Sequence, residues 1–295
     1  MGNLETYRNL VNLRLEQLFA QPHDGRPELL NDAMWYSVKA GGKRLRPCML
    51  LAAVEMLGGD VSEAMDFACA VEMIHTYSLI HDDLPGMDND SMRRGRPTNH
   101  VVYGVGQAIL AGDGLLNLAF ETMLNASSRR PERAAQDLLA IGEIAKGSGV
   151  TGMVAGQCLD LECERNASMS GVDVLEKIHE GKTACMFVYP LRAAARLCAA
   201  EEETLSALTQ FGKMYGLLFQ AADDLTDVVG NSAEAGKTLG KDAESGKLTC
   251  VSIWGVEGTR ERIARLQKAA IHALDGFDAR ADFFRTLAEK AAQVS

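Results

Sequence analysis

The chain has no excess of positive charge: its formal net charge is -10. That argues against nucleic acid as the main partner. It also confines any anion site to places where lysines and arginines cluster or metal cations bridge. There is no C-x-x-C pair, and the seven cysteines (Cys48, Cys69, Cys158, Cys163, Cys185, Cys198, Cys250) are an odd number. Most sit in apolar stretches, where a free thiol behaves as a small hydrophobe, so a disulfide framework is disfavoured and a reducing cytosol fits. Met1 to Glu16 is polar and amphipathic and lacks the apolar centre of a signal peptide. The most apolar segment, Val101 to Phe120, is broken by Gln107 and Asp113 and reads as a buried helix, so no membrane insertion is expected. Strand-like alternation, internal repeats, low-complexity tracts and domain-length linkers are missing as well.

Helical spacing of apolar residues is what remains, nearly everywhere. With 47% hydrophobic residues there is ample material for a buried core. The spacing predicts helices at 4–20, 29–40, 47–58, 62–83, 104–126, 132–147, 150–165, 172–198, 202–229, 247–256, 259–275 and 280–293. Pro190 should kink or split the 172–198 segment. The economical reading is one compact all-α domain spanning 1–295. Two polar islands, 84–99 and 230–247, each follow a helix that ends in aspartates. Charged loops at the ends of rigid helices are where function concentrates.

The first island opens with His81-Asp82-Asp83-Leu84-Pro85-Gly86-Met87-Asp88-Asn89-Asp90. Carboxylates at a helix C-terminus face the negative end of the macrodipole, and a divalent cation would compensate them. A solvated acidic helix end is the competing reading of this cluster alone. In the second cluster, Gln220 through Asp227, residues Asp223 and Asp227 are four apart on one helix face, with Gln220 on the same side. Leu217, Leu218 and Phe219 place this helix against an apolar interior. All-oxygen ligands point to magnesium or manganese rather than zinc.

Cations complement both clusters. Gly41-Gly42-Lys43-Arg44-Leu45-Arg46-Pro47 sets three of them before a helix start, a natural anion site. Arg93-Arg94, Lys182-Thr183 and Lys237 supply more. A P-loop is excluded for both GKT tripeptides, because Glu176 and Asn231 stand where the first glycine is required.

GGKRLRP, VEMIHTYSLIHDDLPGMDND, RRGRPTNH, GKT at 181–183, LLFQAADDLTDVVG and AGKTLGKDAESGKLT occur in one order, from about residue 30 to 255. In that order they resemble the trans-isoprenyl diphosphate synthases, nearest the bacterial farnesyl and geranylgeranyl diphosphate synthases. The resemblance implies the isoprenoid synthase fold, a helical bundle around a deep central cavity, usually as a homodimer. It implies Mg²⁺ ligands at Asp82, Asp83 and Asp88, and at Asp223 with Asp227 and Asp224, for three ions that Mn²⁺ can replace. By the same resemblance Lys43, Arg46, His75 and Arg94 bind isopentenyl diphosphate, and Arg93, Lys182, Thr183, Gln220 and Lys237 bind the allylic diphosphate. The catalytic set is then Asp82, Asp83, Asp88, Asp223, Lys182, Thr183, Gln220 and Lys237. His81 reads as a plain helix-surface residue. Ser91, Thr226 and Pro190 depart from the family pattern without removing a metal ligand.

Tyr77 and Ser78 stand five and four residues before Asp82, where the resembled family sets product length. An aromatic at position 77 implies farnesyl diphosphate, with geranylgeranyl diphosphate as the alternative. A terpene cyclase would keep no isopentenyl site, and a non-catalytic subunit of a heteromeric synthase would be expected to lose aspartates. Both clusters here are intact.

Overall fold

Asp60 starts the helix on which much of this protein is organised: its carboxylate accepts the Ser62 amide at 2.7 Å and caps the first turn. In a computed structural model, which describes residues 2–20, 25–166, 168–230 and 247–293, the chain is all-α. Among the described residues the only β structure is one two-residue hairpin. The chain divides into two compact units, Met1–Ile141 and Gly142–Ser295.

The first unit holds α1 (Leu4–Ala20), α2 (Glu28–Lys39), α3 (Leu45–Met56), α4 (Val61–Asp82), β1 (Met92–Arg93), β2 (Arg96–Pro97), α5 (Asn99–Tyr103) and α6 (Val105–Ser128), and runs into α7 (Ala134–Ser148). Helix α4 packs on α3 and α6. From Cys48 to Val54 every α3 side chain is buried, so this helix is apolar all round and belongs to the core. Each fully buried Leu, Met or Val there contributes ~1.5–3 kcal/mol. One ion pair crosses this core, Arg44 to Glu72 at 2.6 Å, with both side chains at most 3% exposed. Arg44 also donates to the Val38 carbonyl at 2.6 Å and to Asn12 at 3.0 Å, so each of its three guanidinium nitrogens has a partner.

The second unit continues through α8 (Met153–Arg165), α9 (Val172–Ile178), a π-helical turn (His179–Ala184), α10 (Cys185–Leu197), α11 (Glu202–Val229), α12 (Cys250–His272) and α13 (Asp282–Ala291). Helix α11 packs against α10, α12 and the π-turn. Gly212 and Gly216 make the close approach possible: a Cβ at Gly216 would stand 2.4 Å from the Ala184 Cα. Phe187, Phe211, Tyr215 and Phe284 fill the space around α11, with ring centroids 5.1–5.7 Å apart.

Several expectations are corrected. Helix α10 runs through Pro190, and the irregular turn lies upstream at His179–Ala184. The extra residue of the π-turn sits where α8 crosses: a Cβ at Gly156 would lie 2.0 Å from the Lys182 backbone nitrogen. The expected division between 247–256 and 259–275 holds, with its boundary shifted: Cys250–His272 is two helices that meet at a kink at Gly255, whose φ is 67°. The hairpin was expected to be loop, and Val101–Tyr103, expected as the start of one buried helix, belongs to the separate short helix α5. Helix α6 is only half buried: Ala108, Ala111, Leu115 and Ala119 face the core, while Val105, Ile109 and Leu110 are exposed. Among the described residues one stretch, Pro131–Arg165, is long and apolar enough on composition to cross a membrane. It is interrupted between α7 and α8, and its Asp137 and Glu143 are ion-paired with Arg130 and Arg192.

Candidate active site

In the first unit α4 ends at Asp82 and the chain folds back on it. The Leu84 amide donates to His81 at 3.1 Å, Asn89 to Leu84 at 3.1 Å and Asp88 to Asp82 at 2.8 Å. This turn returns Asp88 to the helix end beside Asp82, and both side chains are half-buried. Asp83 differs. It is 3% exposed, and Arg93 grips both its oxygens, with Nε at 2.8 and 2.9 Å and a terminal guanidinium nitrogen at 2.7 Å. Burial pushes the Asp83 carboxyl above its usual range, against the pull of Arg93. Asp83 and Arg93, read from sequence as a metal ligand and a diphosphate ligand, are therefore partners of each other.

The hairpin delivers that arginine. Arg94 (φ 52°) and Gly95 (φ 72°) form its turn, both left-handed, as a two-residue β-turn requires. Arg94 lies against the Gly41-Gly42 backbone and donates to the Gly41 carbonyl. Gly42 has a φ of 124°, a backbone conformation that calls for glycine, and its missing side chain leaves room for the Arg94 guanidinium. Arg46 lies 3.5 Å from His75 Nε2. Burial holds the His75 imidazole far below its ordinary pKa, and Arg46, Arg94, Arg93 and Arg44 add to that. A neutral histidine ringed by guanidiniums is an electrostatic setting for an anion. Lys43 is exposed, and Arg44 is spent on Glu72.

In the second unit a hydrogen-bonded chain runs through the other cluster. The Thr183 hydroxyl donates to Gln220 Oε1 at 2.7 Å, and Gln220 Nε2 donates to Asp224 at 2.9 Å. Asp224 also accepts the Cys250 amide at 2.7 Å. Asp224 is 3% exposed, and burial pushes its carboxyl up to about 6. It faces inward, as does Asp227, which is 5% exposed and lies one turn beyond the half-buried Asp223. Lys182 Nζ is bound by Asp160 at 2.7 Å. Lys237 lies outside the described residues.

One further group brings donor atoms together. His179, Asp224 and Cys250 place N, O and S within 4.8 Å of one another, all buried. Burial lowers His179 to about 4 and pushes the Cys250 thiol up, so neither carries charge near neutrality. Asp224 already accepts two N–H donors, from Gln220 and Cys250, and His179 is its uncharged neighbour.

Two acidic helix faces, each accompanied by cations, are the features by which a diphosphate enzyme is recognised, and comparison with known proteins agrees. Residues 27–276 match the family described as Polyprenyl synthetase. The chain is 47% identical over 255 residues to a chloroplastic geranylgeranyl pyrophosphate synthase of Capsicum annuum, covering 86% of this chain and 68% of that one. It is 46% identical over 279 residues to the heterodimeric geranylgeranyl pyrophosphate synthase large subunit 1 of Arabidopsis thaliana, covering 94% and 74%. Among solved structures, an FPP/GFPP synthase of Zymomonas mobilis superposes with a TM-score of 0.84 at 33% identity, over 98% of each chain. The chain belongs to the polyprenyl synthetase family.

As a polyprenyl synthetase it is a trans-prenyltransferase with the isoprenoid synthase fold. Within the first unit the structure gathers Asp82, Asp83, Asp88, Arg93, Arg94, Arg46 and His75 around the end of α4 and the hairpin. Within the second it gathers Lys182, Thr183, Gln220 and Asp224. Two residues of this polyprenyl synthetase escaped the sequence reading, Asp160 and Gln157, three apart on α8. The Gln157 amide has both polar atoms buried and without a hydrogen-bond partner among the described residues. Gly156, immediately before Gln157 and facing Gly181, was the available signal: paired glycines mark a close backbone crossing.

Proposed function

We propose that this polyprenyl synthetase joins isopentenyl diphosphate to an allylic diphosphate head to tail, and that its product is geranylgeranyl diphosphate. The observation that carries the reading is the association, within each unit, of an acidic helix face with cations suited to phosphate. The allylic C–O bond breaks and diphosphate departs. Lys182 would meet the departing charge, and the Thr183–Gln220 pair would turn dipoles toward the allylic cation without offering a nucleophile to trap it. Arg46, Arg94 and Lys43 would hold isopentenyl diphosphate while its double bond forms the new C–C bond. The released diphosphate accepts the proton that leaves. Asp82, Asp88, Asp223 and Asp227 have the oxygen chemistry for Mg²⁺, three ions that Mn²⁺ can replace. When bound, these ions neutralise the diphosphate and improve it as a leaving group. In this reading Asp83 orients Arg93 instead of serving as a ligand.

The geranylgeranyl product is favoured by the names of the relatives at 46–47% identity. Farnesyl diphosphate is the second reading, favoured by Tyr77, a buried aromatic, and Ser78 one residue on, both one to two turns below Asp82. Chromatography of the products formed from dimethylallyl diphosphate and isopentenyl diphosphate separates a twenty-carbon from a fifteen-carbon product. The same assay on the lone chain excludes a non-catalytic subunit if turnover is found. The exposed apolar face of α6, with Val105, Ile109 and Leu110, supports a homodimer, tested by light scattering in solution. Seven free thiols support a reducing, cytoplasmic location.

A further inference from the structure

We infer that His81 and Gly112 set the position of Tyr77 and thereby the length of the product. The inference rests on the role that the second reading above gives Tyr77, a floor under the growing tail. Tyr77 and His81 are one turn apart on α4, and their rings meet edge to face with centroids 5.6 Å apart at 82°. The His81 ring is in turn fixed against α6: its Nε2 lies 3.1 Å from the Ile109 carbonyl, a contact that assigns the proton to Nε2. It fits there because residue 112 has no side chain. A Cβ on Gly112 would fall 2.1 Å from His81 Nε2 and 2.5 Å from Cδ2, which is impossible without displacing the ring. Gly112 thus forms a notch in α6, His81 fills it, and Tyr77 leans on the filled notch.

Tyr77 therefore does not choose its orientation alone. Removing the imidazole leaves a gap beside Gly112 into which the phenol ring can turn, deepening the space under the tail. His81 acts here as a positioning residue and needs no contact with substrate.

The test measures product length by chromatography for the wild type, Y77A, H81A and the Y77A/H81A double variant, with circular dichroism to show that each is folded. H81A should move the product by one isoprene unit toward the longer chains made by Y77A, and the double variant should match Y77A. If Y77A lengthens the product and H81A does not, the inference fails while the floor stands. If the double variant lengthens products beyond Y77A, His81 acts independently of Tyr77 and the inference also fails. An unchanged Y77A distribution removes the floor itself. Should H81A not fold, G112A replaces it: the methyl displaces the ring, so product length should change in the wild-type background and stay fixed in the Y77A background.

Discussion

The amide N–H of Asp88 donates to the carbonyl of Asp82 at 2.8 Å, so two carboxylates six residues apart in sequence return to a single helix end. There they face the negative pole of α4, an arrangement that costs stability until a cation arrives. Asp82→Ala should cut turnover by orders of magnitude while the far-ultraviolet dichroism stays helical. Asp223→Ala, in the other unit, should do the same. Near-normal turnover in either variant removes that cluster from the metal site.

Arg46 and Lys182 belong to different units and should act on different substrates. Arg46→Ala should raise KM for isopentenyl diphosphate by roughly ten- to a hundredfold, the loss of a charge-assisted contact of about 1.5–3 kcal/mol. Lys182→Ala should act on the allylic diphosphate and on kcat. Steady-state kinetics with each substrate varied in turn checks this, and equal effects on both substrates would contradict it.

Gly156→Ala tests the crossing beneath Lys182. The added methyl would meet the Lys182 nitrogen at 2.0 Å and the Gly181 carbonyl carbon at 2.4 Å, both backbone atoms that cannot swing aside. Overpacking of this kind costs about 1–3 kcal/mol. Urea unfolding should show that loss, and turnover should fall further than stability alone explains, because Lys182 and Thr183 move with the backbone.

His179 gives the protein a calculable pH dependence. Its pKa is lowered from 6.5 to about 4, by burial first and Arg262 second. The folded state then binds fewer protons than the unfolded chain between those values. The associated stability is present above about pH 6.5 and lost as pH falls toward about 4. Asp224, pushed up to about 6, works in the opposite sense and is common to the protein and its variant. The stability difference between wild type and H179Q should therefore shrink by on the order of 3 kcal/mol between pH 7 and pH 4. A difference independent of pH would show that His179 is protonated alike in both states.

Most of the helices were legible because burying one face imposes a 3.6-residue period, and the aspartate clusters were legible because charge at a helix end is conspicuous against apolar flanks. What the sequence hid depends on partners distant along the chain. Asp83 looks like Asp82 until the hairpin brings Arg93 to it. Asp224 looks like Asp223 until the Cys250 amide closes on it. Lys182 gives no sign of Asp160, and His81, which read as a plain surface residue, is a filled notch only because residue 112 is glycine. The π-turn was missed for a related reason. Proline was the visible breaker, whereas the extra residue answers a glycine crossing that local sequence does not announce.

Metal-dependent prenyl transfer is the activity proposed for this chain. Its direct test is diphosphate release by the purified protein supplied with isopentenyl diphosphate and dimethylallyl diphosphate, with Mg²⁺ and after its removal by chelation, followed by chromatography of the prenyl product. Release should require both substrates and Mg²⁺, with a twenty-carbon product. Absence of release in the complete mixture, or release that persists without the metal, would contradict it.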